Sequence, residues 1–209
     1  MKKLGFTLAE VLITLVIIGV IAAMTVPTLM NNTNSQVFRT ALKKAISGVN
    51  QALTLHYALE GLGAQDYDSE TTLIADVFRT RMNTVDGDYT AGYTIQGPGG
   101  GTGCTPGDDN SFVTQDGIIF CITNWSNGAG SDAEDQTAAC NAYNTRPCTS
   151  GDVPNLYIDV NGDKNPNRAT RASSQPRDQY WAQIYNQKVV PYGDATQEVM
   201  FDKRVATGT

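Results

Sequence analysis

One carboxylate, one histidine, four cysteines and one acidic turn are the side chains whose placement in this sequence could do chemistry. The carboxylate is Glu10, at the threshold of residues 11–26, a run of 16 without a charge. A carboxylate inside an apolar helix costs roughly 2.5–3.5 kcal/mol on membrane-insertion scales, so a partner is expected for it. The histidine is His56, on a helical stretch, where a structural or exposed role is expected. With one histidine, no Ser-His-Asp or Cys-His set and no multi-histidine metal centre can be assembled. No catalytic residue is assigned, and the chain reads as a non-enzyme.

The cysteines are Cys104, Cys121, Cys140 and Cys148, separated by 16, 18 and 7 residues. Without a Cys-x-x-Cys pair, zinc and thioredoxin-like chemistry are disfavoured. In an exported domain, an even number of cysteines is expected to form two disulfides. Three pairings are open. The preferred one closes the short loop between Cys140 and Cys148 and leaves Cys104 with Cys121.

The acidic turn is Asp159-Val160-Asn161-Gly162-Asp163-Lys164-Asn165-Pro166-Asn167. Asp159, Asn161 and Asp163 put oxygen ligands at alternate positions, as at the start of a calcium loop, with Asp178 available to fold back. The spacing departs from the EF-hand: glycine is fourth rather than sixth, and Thr170 stands where the last glutamate belongs. Calcium is the one cofactor suggested. An Asn-Gly turn whose side chains cap their own backbone fits the same residues. The glycine-rich run 97–103 lacks the Lys-Ser/Thr of a phosphate loop and reads as a flexible connection.

The elements that must position these groups follow from the pattern of the chain. Residues 6–26 hold one charge in 21 positions, about 30 Å of helix, enough to cross a bilayer core. Lys2 and Lys3 precede that run and keep the N-terminus cytoplasmic, so the remainder points outward. Pro27 ends the run, as a helix break or as a marker of the membrane exit. Beyond it, Val37, Phe38, Ala41, Leu42, Ala45, Ile46, Val49, Leu53 and Tyr57 recur at helical spacing, up to a stop at Gly61-Leu62-Gly63.

A second helix is expected from Ser69 to Asp86, with Leu73, Ile74, Val77, Phe78 and Met82 on its apolar side. Strands are expected at 89–95, 111–114, 118–123, 156–160 and 180–190, with a hairpin turn at Gln115-Asp116-Gly117. The fold class is α+β, a long helix packed on a small antiparallel sheet. A net charge of −6 and a pI near 4.7 argue against general nucleic-acid binding.

The segment Gly5-Phe6-Thr7-Leu8-Ala9-Glu10, after a short basic leader and before the apolar run, resembles the type IV pilin and type II secretion pseudopilin superfamily over residues 1–30. The resemblance implies that a prepilin peptidase cuts between Gly5 and Phe6 and methylates the Phe6 amine. It implies that Glu10 pairs with the Phe6 amine of a neighbouring subunit; the bland alternative is a carboxylate that snorkels to the head groups. A proline at the position of Pro27 would let the helix loosen in a filament. The acidic turn also resembles the loop late in the sheet domain by which major pseudopilins of type II secretion hold calcium, and the resemblance implies the same ion here.

The implied organisation is a leader (1–5), a transmembrane and filament-core segment (6–30), an amphipathic continuation (31–60) and an extracytoplasmic head (61–209). The implied partners are copies of the chain or related pilins, the peptidase, the inner-membrane assembly platform and the membrane. The implied location is the inner membrane, then a periplasmic pseudopilus or a surface pilus. A membrane-anchored binding protein or enzyme that uses the stem only as an anchor is the competing reading.

Overall fold

The computed structural model describes residues 5–67, 71–85, 92–97, 103–107, 109–123, 153–167, 177–192 and 194–201. Helix α1 runs from Leu8 to Glu60, 53 residues or about 80 Å at 1.5 Å per residue. It starts at Thr7 and ends at Gly61, whose left-handed backbone (φ 71°) lets its N–H reach the Tyr57 carbonyl at 2.9 Å. Pro27 lies inside this single helix and does not end it. Packing in the C-terminal half and the continuous hydrogen bonding on both sides outweigh the one lost hydrogen bond.

Only the C-terminal part of α1 meets the head. Phe38, Leu42, Ala45, Ile46, Val49, Ala52 and Leu53 are buried along one stripe. Val37 and Tyr57, expected on that stripe, are exposed at 55% and 37%. At 3.6 residues per turn the stripe drifts, and Ala52 and His56 take the buried positions.

After a 3-10 turn at Ala64–Tyr67 comes α2, Thr71–Arg81, with Ile74, Ala75, Val77 and Phe78 buried. Its end precedes the expected stop at Asp86, and Leu73 is 41% exposed instead of facing the core. Ser69 and the stop itself lie outside the described residues.

Five strands form one sheet in the order β1-β2-β3-β4-β5, each antiparallel to the next: Ser111–Val113, Ile119–Thr123, Asn155–Asp159, Gln179–Tyr185 and Lys188–Pro191. The β1–β2 hairpin turns at the expected residues, with Gly117 at φ 84°. The expected strand at 180–190 is two strands, β4 and β5, joined at Asn186-Gln187. The expected strand at 89–95 contributes one isolated bridge, Ile95 to Cys104; residues 89–91 lie outside the described residues. A last helix, α3, spans Asp194–Phe201.

Side chains alternate across the pleat. Phe112, Phe120, Ile122, Leu156, Ile158, Ala182 and Ile184 face α1 and α2 in the main core. Phe120 stacks on Phe112 with ring centroids 4.6 Å apart, and Phe112 in turn meets Phe78 of α2 at 5.3 Å. Ile119, Cys121, Tyr157 and Trp181 form a smaller cluster on the opposite face with Ile95 and Cys104. The architecture is the α+β plan expected from sequence: a long apolar helix and an antiparallel sheet in a pilin-like arrangement.

Candidate functional site

The start of α1 is built by two residues. Thr7 is extended (φ −81°, ψ 151°), and its hydroxyl accepts from the Glu10 N–H at 3.3 Å. The Glu10 carboxylate reaches back to accept from the Thr7 N–H at 2.8 Å and from its hydroxyl at 2.7 Å. This is a capping box, which satisfies orphan donors at a helix end. It turns Glu10 toward the N-terminus, on the side where Gly5 and Phe6 lie. Phe6 is 89% exposed. Thr7 was not singled out from sequence, although Thr-x-x-Glu before an apolar run is the signature of this cap.

Behind the cap, Leu8–Pro27 is a helix of 20 residues with a mean hydropathy of 2.5 and none of it buried in the fold. Leu12, Ile13, Leu15, Val16, Ile17 and Ile18 are each more than half exposed. By length and composition this segment can cross a membrane. It is a bare apolar rod with one carboxylate at its tip.

The acidic turn follows β3. Asp159 and Asp178 are both fully buried. One oxygen of Asp159 accepts from the Tyr93 hydroxyl at 3.0 Å and the Gln179 amide at 3.2 Å, and the other from the Asn161 N–H at 3.2 Å. Burial, and next to it the charge of Asp178, push the Asp159 pKa up to about 7. Asp178 accepts from the Asn167 N–H at 2.7 Å. Asn167 has a left-handed backbone (φ 46°) and follows a cis Asn165–Pro166 bond.

Asp163 is exposed, and the Asn161 amide donates to the Lys164 and Asn165 carbonyls at 2.9 and 3.2 Å. The turn therefore centres on Asp159, Asn167 and Asp178 rather than on the alternating trio Asp159, Asn161 and Asp163. Among the described residues, no three His, Cys, Asp or Glu side chains form a group that could hold a metal.

Cys104 and Cys121 are joined by a disulfide with Cα atoms 6.0 Å apart. The bond ties the segment that bridges at Ile95 and Cys104 onto the centre of β2, within the smaller core cluster. Cys140 and Cys148 lie outside the described residues.

Residues 1–26 match the prokaryotic N-terminal methylation motif, the signature of the prepilin-type segment of type IV pilins and pseudopilins. The N-terminal segment is thus similar to the one that prepilin peptidase processes in pilin and pseudopilin precursors, and behind it Leu8–Pro27 is long and apolar enough to cross a membrane. No curated protein and no solved structure matches the chain.

Proposed function

We propose that this chain is a structural, non-catalytic subunit of a type IV pilus or a type II secretion pseudopilus, polymerising through α1. The observation that carries the reading is the bare rod of Leu8–Pro27, none of which the fold itself covers. Lipid covers it before assembly, and the equivalent rods of other copies or related pilins cover it afterwards. The prepilin peptidase cuts between Gly5 and Phe6 and methylates Phe6; the inner-membrane assembly platform then draws the subunit out. The leader stays cytoplasmic and the head extracytoplasmic, in a periplasmic pseudopilus or a surface pilus.

Within such a bundle Glu10 would be costly if left alone. The Phe6 ammonium of a neighbour satisfies it at only one axial offset, so the apolar faces supply attraction and the ion pair supplies register. Filaments sheared from cells of the native host and probed for this chain test the reading. Recovery only in the membrane fraction, in cells whose filaments are otherwise assembled, overturns it.

We propose further that the acidic turn binds calcium. Support comes from Asp159 and Asp178, two buried carboxylates close enough for the charge of Asp178 to raise the pKa of Asp159. Those two carboxylates would hold the ion. The ion would supply neutralising charge to two buried carboxylates and no chemistry beyond that.

A further inference from the structure

Assembly through α1 gives His56 no task, yet it is buried, with 6% of its surface exposed. It sits in the last turns of α1, under the segment that carries the chain from Gly61 to α2. Its Nε2 lies 2.7 Å from the Tyr67 hydroxyl, and the two rings are 5.8 Å apart. Its Nδ1 is buried and has no hydrogen-bond partner among the described residues.

The charged groups around it come from three elements. Arg81, at the end of α2, pairs with Glu60 of α1 at 2.6 Å, so that carboxylate is engaged. Asp66, in the 3-10 turn, accepts from the Gly63 N–H at 2.7 Å. Tyr67 remains a firm proton donor, since burial and then the charges of Glu60 and Asp66 raise its pKa. The hydroxyl thus keeps its proton and is able to donate it to Nε2 of the neutral imidazole.

A second proton reverses this arrangement. Nε2–H must then donate to the tyrosine oxygen, and the hydroxyl hydrogen must turn elsewhere. A new positive charge also arises near Arg81, whose own Nε is buried without a partner among the described residues. Burial first, then Arg81, lowers the pKa of His56, and Glu60 opposes them.

We propose that His56 is a pH-sensitive latch between the end of α1 and the Ala64–Tyr67 turn. The neutral ring is closed on Tyr67; protonation exchanges the donor in that bond and places a charge on a buried ring whose Nδ1 has no partner among the described residues, which loosens the turn from the helix. The same turn is fastened to the sheet by the Ala64 N–H, which donates to the Asn186 carbonyl at 2.8 Å. Gly63 beside it admits no side chain, because a Cβ would collide with Asn186. Opening thus reaches the β4–β5 turn and leaves the central strands in place.

The sign follows from the depressed pKa of a base. Below the ordinary value of 6.5 the open or unfolded chain binds more protons than the closed one, so closure weakens as pH falls through that value.

The test is made on the full chain in detergent micelles, where one imidazole gives one unambiguous NMR titration. The ring is expected to titrate below 6.5. Between about pH 7.5 and about pH 5, the amides of Ala64 and Asp66 should lose protection roughly tenfold relative to those of Phe120 and Ile158. His56→Gln, which cannot charge, should abolish that difference. Tyr67→Phe, which removes the donor to the neutral ring, should raise the pKa of the histidine. Titration at or above 6.5, or equal loss of protection in the turn and the central strands, overturns the latch. The wild-type measurements decide the matter even if a variant fails to fold.

Discussion

Thr7 and Glu10 cap each other: the hydroxyl of one takes the N–H of the other, and the carboxylate returns the bond to the Thr7 N–H at 2.8 Å. The carboxylate that the filament reading pairs with a neighbour is thus held by its own helix end first. Docking must exchange a local partner for an intermolecular one. For that reason Glu10 can stand at a membrane surface without a counter-ion and still be available on assembly.

Glu10→Ala is therefore expected to leave the folding and export of the head intact while strongly reducing incorporation into filaments. Glu10→Asp should fall between, since the shorter side chain reaches less far. Immunoblots of sheared filaments from cells co-expressing tagged wild type and variant give the ratio. Loss of the cap costs the helix end about 1 kcal/mol, too little to unfold a head whose core begins at Phe38.

Processing is read by intact mass. Protein from the native host should begin at Phe6 and carry one added methyl group. A chain still starting at Met1, or cut after the apolar run as a secretory signal peptide would be, would contradict assembly through this segment.

The Cys104–Cys121 bond should be intramolecular and matter for stability. Its sequence separation of 17 residues corresponds to a loop-closure contribution of about 3 kcal/mol. The double variant Cys104→Ala/Cys121→Ala should be less stable by about that free energy and melt at a lower temperature, with the loss concentrated in the smaller cluster around Trp181. Fluorescence of the tryptophans against temperature follows it.

Asp159 makes a prediction of direction. Its pKa in the fold, about 7, lies above the ordinary 3.8, so the unfolded chain ionises first as pH rises. In chelator, the contribution of Asp159 to stability is fully present below about pH 4, falls up to about pH 7, and is level above, a loss of at most a few kcal/mol. Asp159→Asn should flatten that slope and stabilise the metal-free protein at neutral pH. Millimolar calcium should raise the melting temperature of wild type by mass action and leave Asp159→Asn unmoved. An identical midpoint for wild type with calcium and with chelator would leave the Asn-Gly turn as the account of this loop.

Much of this fold is legible in the order of residues, because its largest parts obey local rules. The apolar run, the stripe from Phe38 to Leu53, the Gly61 stop and the Asp116-Gly117 hairpin each carry their signal within a few positions. The β4–β5 turn does not: Asn186-Gln187 has no glycine or proline to interrupt an apolar stretch. The segment 89–95 has the composition of a strand, but among its described residues Ile95 alone forms a β-bridge.

At the acidic turn the sequence offers Asp159 and, folded back, Asp178, but nothing in it points to Tyr93. Tyr93 reaches Asp159 across 66 residues of chain, and Asp178 lies on the following strand's approach. Alternation along the turn suggested Asp163, which points away; only the pairing of β3 with β4 brings Asp178 beside Asp159.

The strand order also bears on how much this chain can change. Thr123 and Asn155 are cross-strand partners, so the long stretch between them leaves and returns at one place on the sheet. The entropy of closing such a detour grows only with the logarithm of its length, about 0.6 kcal/mol for each doubling. The register of the described strands and the seat of α1 are set by residues on either side of that stretch, so the sheet is pinned at Thr123 and Asn155 whatever length of chain joins them.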